Sequence, residues 1–512
     1  MKKILNLVII MLISLSGVTQ TYFSERYNYA GWQSLDFSHD ILRIDEGYII
    51  PGGFAYNDTL SYNKIGIIKI DYFGDELLSK VIGEGETTYS WNISYNQGAL
   101  SRDKGNTGYY DVGMKRKYVG TGVGVEDKGV IYRFDIELDT LWTVNIGDNV
   151  LSYDTNYSFR HCVVLPNDEL IIAGHIVIEG SNSKAMLIKT DSLGNELWRK
   201  YFSSGPLNDG INVISTPDGG FVLSAWKWTF GHVTGAPYLI KTDSAGNQEW
   251  SKGFWEYDRY HGPLYISISL DSLIVGVYSY SDSVNYPSSD SYNRDAVIKL
   301  DLEGNVIWEK KYGIASYNKW VASGTVTPQG KIILTGRTYE TYPQRLGYML
   351  NVSPEGDSLW YREYEEVWGV NSHNYLYGVI PTDDGGYAAA GMVHPNGNQD
   401  LWVLKVDSLG CESFDYCWTS LPGVISVEKP GELAVFPNPA TRSCTIAIPK
   451  ENQFDTYTLF IYNLMGVKME EIVVPSGEIQ VVLNLSGYAP GLYSVVTSYK
   501  GSITGRGKFV VY

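Results

Sequence analysis

Apolar and polar positions alternate along most of the chain in short runs rather than in long helical periods. Runs such as Ile171–Gly174, Ile332–Gly336 and Tyr387–Gly391 end at Gly, Asp, Asn or Pro, residues that turn a chain. The runs fall into a repeat. Leu187-Ile188-Lys189-Thr190-Asp191 leads to Trp198, and Leu239-Ile240-Lys241-Thr242-Asp243 leads to Trp250. The same frame recurs at Val297–Trp308 and Met349–Trp360, and more loosely at Ile67–Leu78, Tyr132–Trp142 and Val403–Phe414. Its turn positions are Asp71, Asp135, Asp191, Asp243, Asp301, Ser353 and Asp407, spaced by 64, 56, 52, 58, 52 and 54 residues. Each unit carries four strand signals, and the fourth places an aromatic four residues after its Trp, as in Trp308 and Tyr312. That separation puts both rings on one face of a strand. The fold class predicted is all-β: a seven-bladed β-propeller, which leaves only short edges.

A ring needs closure, and two strands fit the outer place in the last blade. Phe23-Ser24-Glu25-Arg26-Tyr27 resembles Trp308–Tyr312, and Phe414 and Trp418 have the same spacing. The N-terminal strand is the preferred one. Cys411 and Cys417, six apart, are expected to form a short disulfide in an exported protein. Cys162 is expected as a buried free thiol.

The ends of the chain differ from its middle. Residues 1–20 read as a signal peptide, with Lys2 and Lys3 ahead of the apolar stretch Ile4–Leu15. The propeller is assigned to 21–418 and a linker to 419–432. Residues 433–512 carry short alternating runs, expected to form a small Ig-like β-sandwich. Phe436-Pro437-Asn438-Pro439-Ala440 opens it, Ile461–Gly466 lies mid-way, and Leu485–Tyr493 with Gly491 follows before Lys508-Phe509-Val510-Val511-Tyr512. These four motifs, in this order, resemble the type A C-terminal sorting domain of the type IX secretion system of Bacteroidetes-type bacteria. The resemblance implies Pro437, Asn438, Pro439, Gly466, Gly491, Tyr493 and Lys508 as its motif residues. It further implies recognition by an outer-membrane translocon and a sortase-like peptidase, followed by release or surface attachment. The repeat resembles those of secreted Bacteroidetes propellers of unassigned activity. It is distantly similar to the tryptophan-docking repeats of quinoprotein dehydrogenases, but the Asp-to-Trp spacing is one residue shorter and no Cys-Cys pair is present. No cofactor is carried over.

Composition sharpens this picture in two ways. The formal charge of −17 argues against a nucleic-acid partner, which needs a basic face. Aromatics make up 14% of the chain, and those not in the repeat collect in the long connections between units. Function on such a frame is expected on the variable loops. The candidate binding residues there are Trp226, Trp228, Trp255, Tyr257, Tyr260, His261, Tyr280, Tyr342, Trp368 and His373, ring systems suited to a glycan or a protein surface. Catalytic signals are sparse: seven scattered histidines, the carboxylates Asp258, Glu365 and Glu366, and no nucleophile or metal motif. Three functions stay open, the first of them preferred. They are a non-enzymatic binding module, an extracellular polysaccharide hydrolase or lyase, and a structural surface component.

Overall fold

The computed structural model describes residues 21–28, 36–55, 63–82, 87–89, 99–119, 124–147, 155–178, 182–203, 207–229, 234–254, 261–281, 293–313, 318–339, 345–367, 372–395, 399–412, 431–448, 456–463, 468–499 and 502–512. No described helix is long and apolar enough to cross a membrane. The signal-peptide segment 1–20 lies outside the described residues. The chain divides into two units, Met1–Ser413 and Phe414–Tyr512.

Seven antiparallel sheets of four or five strands occupy the first unit, among the described residues. Sheet three is typical: Thr155–Val164, Leu170–Ile178, Asn182–Thr190 and Glu196–Phe202 form a simple meander. Each sheet packs against the next, and Phe37–Ser38 of sheet one meets Tyr387–His394 and Asp400–Val406 of sheet seven. One cavity of about 460 Å³ receives Asp40, Leu100, His161, Asn212, Ile266, Thr325 and Ile380, one from each sheet. Seven sheets around a shared channel make the unit a β-propeller.

Two local devices build each sheet. The repeat Asp caps its own hairpin: Asp191 Oδ1 accepts the N–H groups of Leu193 (2.9 Å) and Asn195 (2.8 Å). Asp243 and Asp407 do the same, and Ser353 does so through Oγ. This is the Asx-turn chemistry expected of that position. The repeat Lys crosses its sheet to the carboxylate of the first hairpin. The pairs are Lys189–Glu169 (2.7 Å), Lys241–Asp218 (2.8 Å), Lys299–Asp271 (3.0 Å) and Lys405–Asp384 (2.8 Å). Both regular turns are thereby tied to their own strands.

The third device joins neighbouring sheets. The rings of Trp142, Trp198, Trp250, Trp308 and Trp360 lie against Gly194, Gly246, Gly304, Gly356 and Gly410 of the next sheet's turn. At Gly410, φ is +76° and an added Cβ would stand 2.7 Å from the Trp360 ring, so both backbone and contact demand glycine. The indole N–H groups of Trp250 and Trp360 donate to Leu302 O (3.1 Å) and Ser408 O (3.0 Å) in those turns. Four residues after Trp, Tyr312 and Tyr364 donate to Gly356 O (2.8 Å) and Gly410 O (2.9 Å).

Closure reproduces this joint. Phe23–Tyr27 pairs antiparallel with Leu401–Lys405 and becomes the outer strand of sheet seven. Phe23 lies against Gly74 of sheet one, and Tyr27 OH donates to Gly74 O (2.5 Å). The competing strand at Phe414 and Trp418 lies outside the described residues. The joint between sheets one and two is the exception. There Leu78 stands where the other units carry an aromatic, and Leu138 replaces the turn glycine at φ +60°. Leu138 is buried in a cluster that Leu78 packs against. A larger turn side chain fills the volume that a smaller outer-strand side chain leaves, at a backbone cost of about 1–2 kcal/mol.

Leu138→Gly alone should destabilise the protein, because about 2–5 kcal/mol of lost packing exceeds the backbone relief. Adding Leu78→Trp should recover most of that loss. A double-mutant cycle on thermal unfolding measures the coupling, and additive effects would contradict the volume exchange.

Candidate functional site

In each meander the two capped hairpins fall on one face of the ring, and the longer connections fall on the other. Two side-chain clusters stand at the strand ends of this irregular face. The first lies between sheets four and five. Trp226 is fully buried and donates from Nε1 to His261 O (2.9 Å). The His261 N–H donates to Gly235 O (2.8 Å), and its ring lies 4.9 Å from that of Tyr280. Tyr280 is half-buried, with Lys311 Nζ 3.4 Å from its ring centroid. Trp226 and His261 therefore fix the loop base rather than offer a ring to solvent, because both are more than 98% covered. Tyr280 keeps an accessible portion.

The second cluster lies between sheets six and seven. His373 is half-buried, with its ring 5.5 Å from both Tyr375 and His394. Burial first, and then Arg345, His394 and Arg337, push the His373 imidazole down to about 4, so it is neutral at physiological pH. Arg337 and Arg345 flank Tyr375. Neither arginine was visible as a site residue in the sequence. The available signal was that both stand at the ends of one long connection, 337–346. Residues Trp255, Tyr257, Tyr260, Tyr342 and Trp368, and the side chain of Trp228, lie outside the described residues. Of the carboxylates, Glu366 is engaged by the closing strand, accepting from Ser24 Oγ (2.5 Å) beside Arg26 (3.9 Å). Among the described residues no three His, Cys, Asp or Glu side chains group to hold a metal ion.

The cysteines divide by environment. Cys162 is a buried free thiol, donating to Ala99 O (3.2 Å), and burial pushes it up to about 12. It is not poised as a nucleophile. Cys444 is likewise free and buried. Cys411 is disulfide-bonded, while Cys417 lies outside the described residues.

The second unit holds two sheets. One runs Gly431–Glu432, Ser502–Val511, Gly491–Tyr499, Tyr457–Asn463 and Lys468–Val474, and the other Val435–Phe436, Ser443–Ala447 and Gln480–Asn484. Ile446, Leu459, Ile461, Val495 and Phe509 form the core between them. The motif residues lace this unit together. Asn438 Nδ2 donates to Lys508 O (2.9 Å), and its Oδ1 accepts from Val510 N (2.9 Å). One amide side chain thus extends the last strand as a backbone would. Ala440 N continues to Val510 O (2.7 Å), and Tyr512 N returns to Ala440 O (3.0 Å). Tyr493 stacks on Phe509 at 5.5 Å and donates to Ala489 O (2.8 Å). Pro437 and Pro439 are exposed, the Lys508 side chain is half-buried, and Gly491 opens the strand that carries Tyr493. Gly466 lies outside the described residues.

Residues 434–512 match the family model described as "Secretion system C-terminal sorting domain". The C-terminal unit is a type IX sorting domain. The protein is therefore sent by the type IX system to the cell surface or extracellular space. No curated protein sequence matches the chain. Among solved structures, a protein of unknown function from Dyadobacter fermentans is 10% identical, with a TM-score of 0.43 over 63% of this chain and 99% of its own. The β-propeller domain of the Trilobed protease from Pyrococcus furiosus is 10% identical, with a TM-score of 0.40 over 72% and 95%. An α-L-arabinofuranosidase from Fusarium graminearum is 11% identical, with a TM-score of 0.40 over 63% and 98%. Likenesses this distant carry no argument about activity.

Asn438→Ala removes both bonds to the last strand and should lower the stability of the sorting unit by about 1–2 kcal/mol. Chemical denaturation of the full chain, followed through this unit, checks it. An unchanged midpoint would show that the lacing contributes nothing.

Proposed function

We propose that the propeller is a non-enzymatic binding module, carried to the cell surface by its sorting domain and engaging an extracellular glycan or protein through its irregular face. The observation that carries this reading is the contrast between the two faces. The regular turns are consumed by their own hydrogen bonds and ion pairs. The other face sets half-buried aromatic side chains beside basic ones, such as Tyr280 with the exposed Lys311, on rigid strand ends. Aromatic platforms beside cations suit recognition. The sorting domain engages the type IX machinery, and we assign the translocon and a sortase-like peptidase as its partners. A Cys411–Cys417 disulfide fits the oxidising compartments that this route crosses.

Two experiments test these assignments. Deleting residues 433–512 should strand the protein inside the cell envelope, and normal surface display of the truncated protein would refute the sorting role. A glycan array together with a hydrolase and lyase screen on the secreted protein should yield binding without turnover. Turnover abolished by changing a histidine or carboxylate of the irregular face would overturn the binding reading in favour of a polysaccharide-active enzyme.

A further inference from the structure

The cavity of about 460 Å³ at the centre of the ring belongs to the other face. Leu270, Pro328 and Pro381 border it, and they lie in or beside the first hairpins of sheets five, six and seven. The cavity therefore reaches the face of the capped turns, opposite the long connections. Leu270 stands there 71% exposed, an apolar side chain at the mouth. Further in, Ile41, Leu100, Ile266, Ile268, Val379 and Ile380 form an aliphatic wall. No aromatic ring is among the described lining residues, so the flat face on which a sugar ring packs is missing. Such a wall suits a compact apolar body.

Polar side chains interrupt the wall at Asp40, His161 and Asn212. Asp40 Oδ1 accepts from Ile41 N (2.9 Å), and Oδ2 accepts from Leu100 N of the next sheet (3.2 Å). Asn212 repeats this link between inner strands, since its Oδ1 accepts from Ile266 N of sheet five (2.9 Å). Only the oxygen of an amide can accept from a backbone N–H, so this bond fixes which way the side chain points. Among the described residues Nδ2, with its two N–H donors, has no bond, although Asn212 is only 6% exposed. His161 makes no hydrogen bond among the described residues either, and its Nδ1 is closed off from solvent. Nε2 is the nitrogen left to face the cavity. Burial pushes the imidazole down to about 4, so it is neutral at physiological pH.

Unspent donors in an aliphatic channel are costly until something accepts from them. Water can accept, but the wall around the donors offers it few further partners. A ligand with an apolar body and a carbonyl oxygen satisfies both parts of the cavity. An anion is disfavoured, because the Asp40 carboxylate lies in the same wall. An ammonium head is disfavoured, because it has no lone pair to accept from Asn212.

We propose that the central channel is a ligand site, entered from the face of the capped turns, for an uncharged small molecule with an aliphatic body and a carbonyl group that accepts from Asn212 Nδ2 beside His161. The site is separate from the irregular face and does not depend on the reading of that face.

Saturation-transfer NMR titration of the full chain with hexanamide, hexanoate and hexylamine tests the site, since the three share one tail and differ in the head. Hexanamide should bind more tightly than either charged analogue. Asn212→Asp keeps the acceptor for Ile266 N but removes the donors, and should weaken hexanamide binding about tenfold. His161→Phe should weaken it about fivefold while keeping the thermal midpoint, because no bond of that ring is lost. That variant decides the matter if Asn212→Asp fails to fold. Failure of hexanamide to bind, a charged analogue binding as tightly, or hexanamide binding unchanged in a folded variant overturns the site.

Discussion

The propeller depends on one contact made again and again: an aromatic ring of one outer strand seated on the positive-φ turn of the next sheet. No sheet can bury both of its faces alone, so each needs a neighbour on either side. The Trp–Gly contact fixes that neighbour at a set distance, because a side chain at the glycine would collide with the ring. The donated bonds of Trp250, Tyr312, Trp360 and Tyr364 then fix its orientation. A ring built from such joints is only as sound as its last one. Here the last joint uses chain from the opposite end of the unit, and Phe23 and Tyr27 reproduce the same geometry on Gly74. Pairing of Phe23–Tyr27 with Leu401–Lys405 also covers the edge that the third strand of sheet seven would otherwise expose.

The contact explains why so much of the fold was legible. The Asp turn, the Trp and the aromatic four residues later are local spacings, and local spacings survive in a linear sequence. Closure by the N-terminal strand could be read for the same reason, since Phe23–Tyr27 repeats the signature of Trp308–Tyr312. Sheet two was read more loosely because its joint trades Trp and Gly for Leu78 and Leu138. Volume is conserved across that joint while residue type is not, and a pattern search sees only type. In the sorting unit, Lys468–Val474 is a strand without a strand's sequence signal, since its Met-Glu-Glu stretch faces solvent and lacks the alternation of a half-buried strand.

The candidate site was legible only in outline. Of the loop aromatics and histidines singled out, Trp226 and His261 proved to be internal supports. Whether an aromatic packs or projects depends on the neighbouring sheet, which the local sequence does not encode. Arg337 and Arg345 were overlooked for a related reason. Their meaning comes from Tyr375, about 30 residues further along and in another sheet, and from the His373–His394 pair across a hairpin. Asn438 shows the opposite case. Its motif was recognised, yet the reason for an amide there appears only when its two bonds to the final strand are seen. An aspartate would keep the acceptor for Val510 but could not donate to Lys508 O, and alanine would do neither.

Frame and site are coupled at sheet seven. This sheet carries His373, Tyr375 and His394, and it is also the sheet completed by the N-terminal strand. Trp402, fully buried in the same sheet, donates from Nε1 to Ser24 Oγ of that strand (2.9 Å), and Ser24 Oγ donates in turn to Glu366 (2.5 Å). Glu366 N and Val367 N both donate to Asn374 Oδ1, which stands between His373 and Tyr375 in sequence. A continuous hydrogen-bonded path therefore runs from the closing strand to the strand that bears His373 and Tyr375. Binding groups work best on elements whose own positions are over-determined. The junction of sheets six and seven meets that condition, because the interactions that close the ring also hold the histidine strand in place.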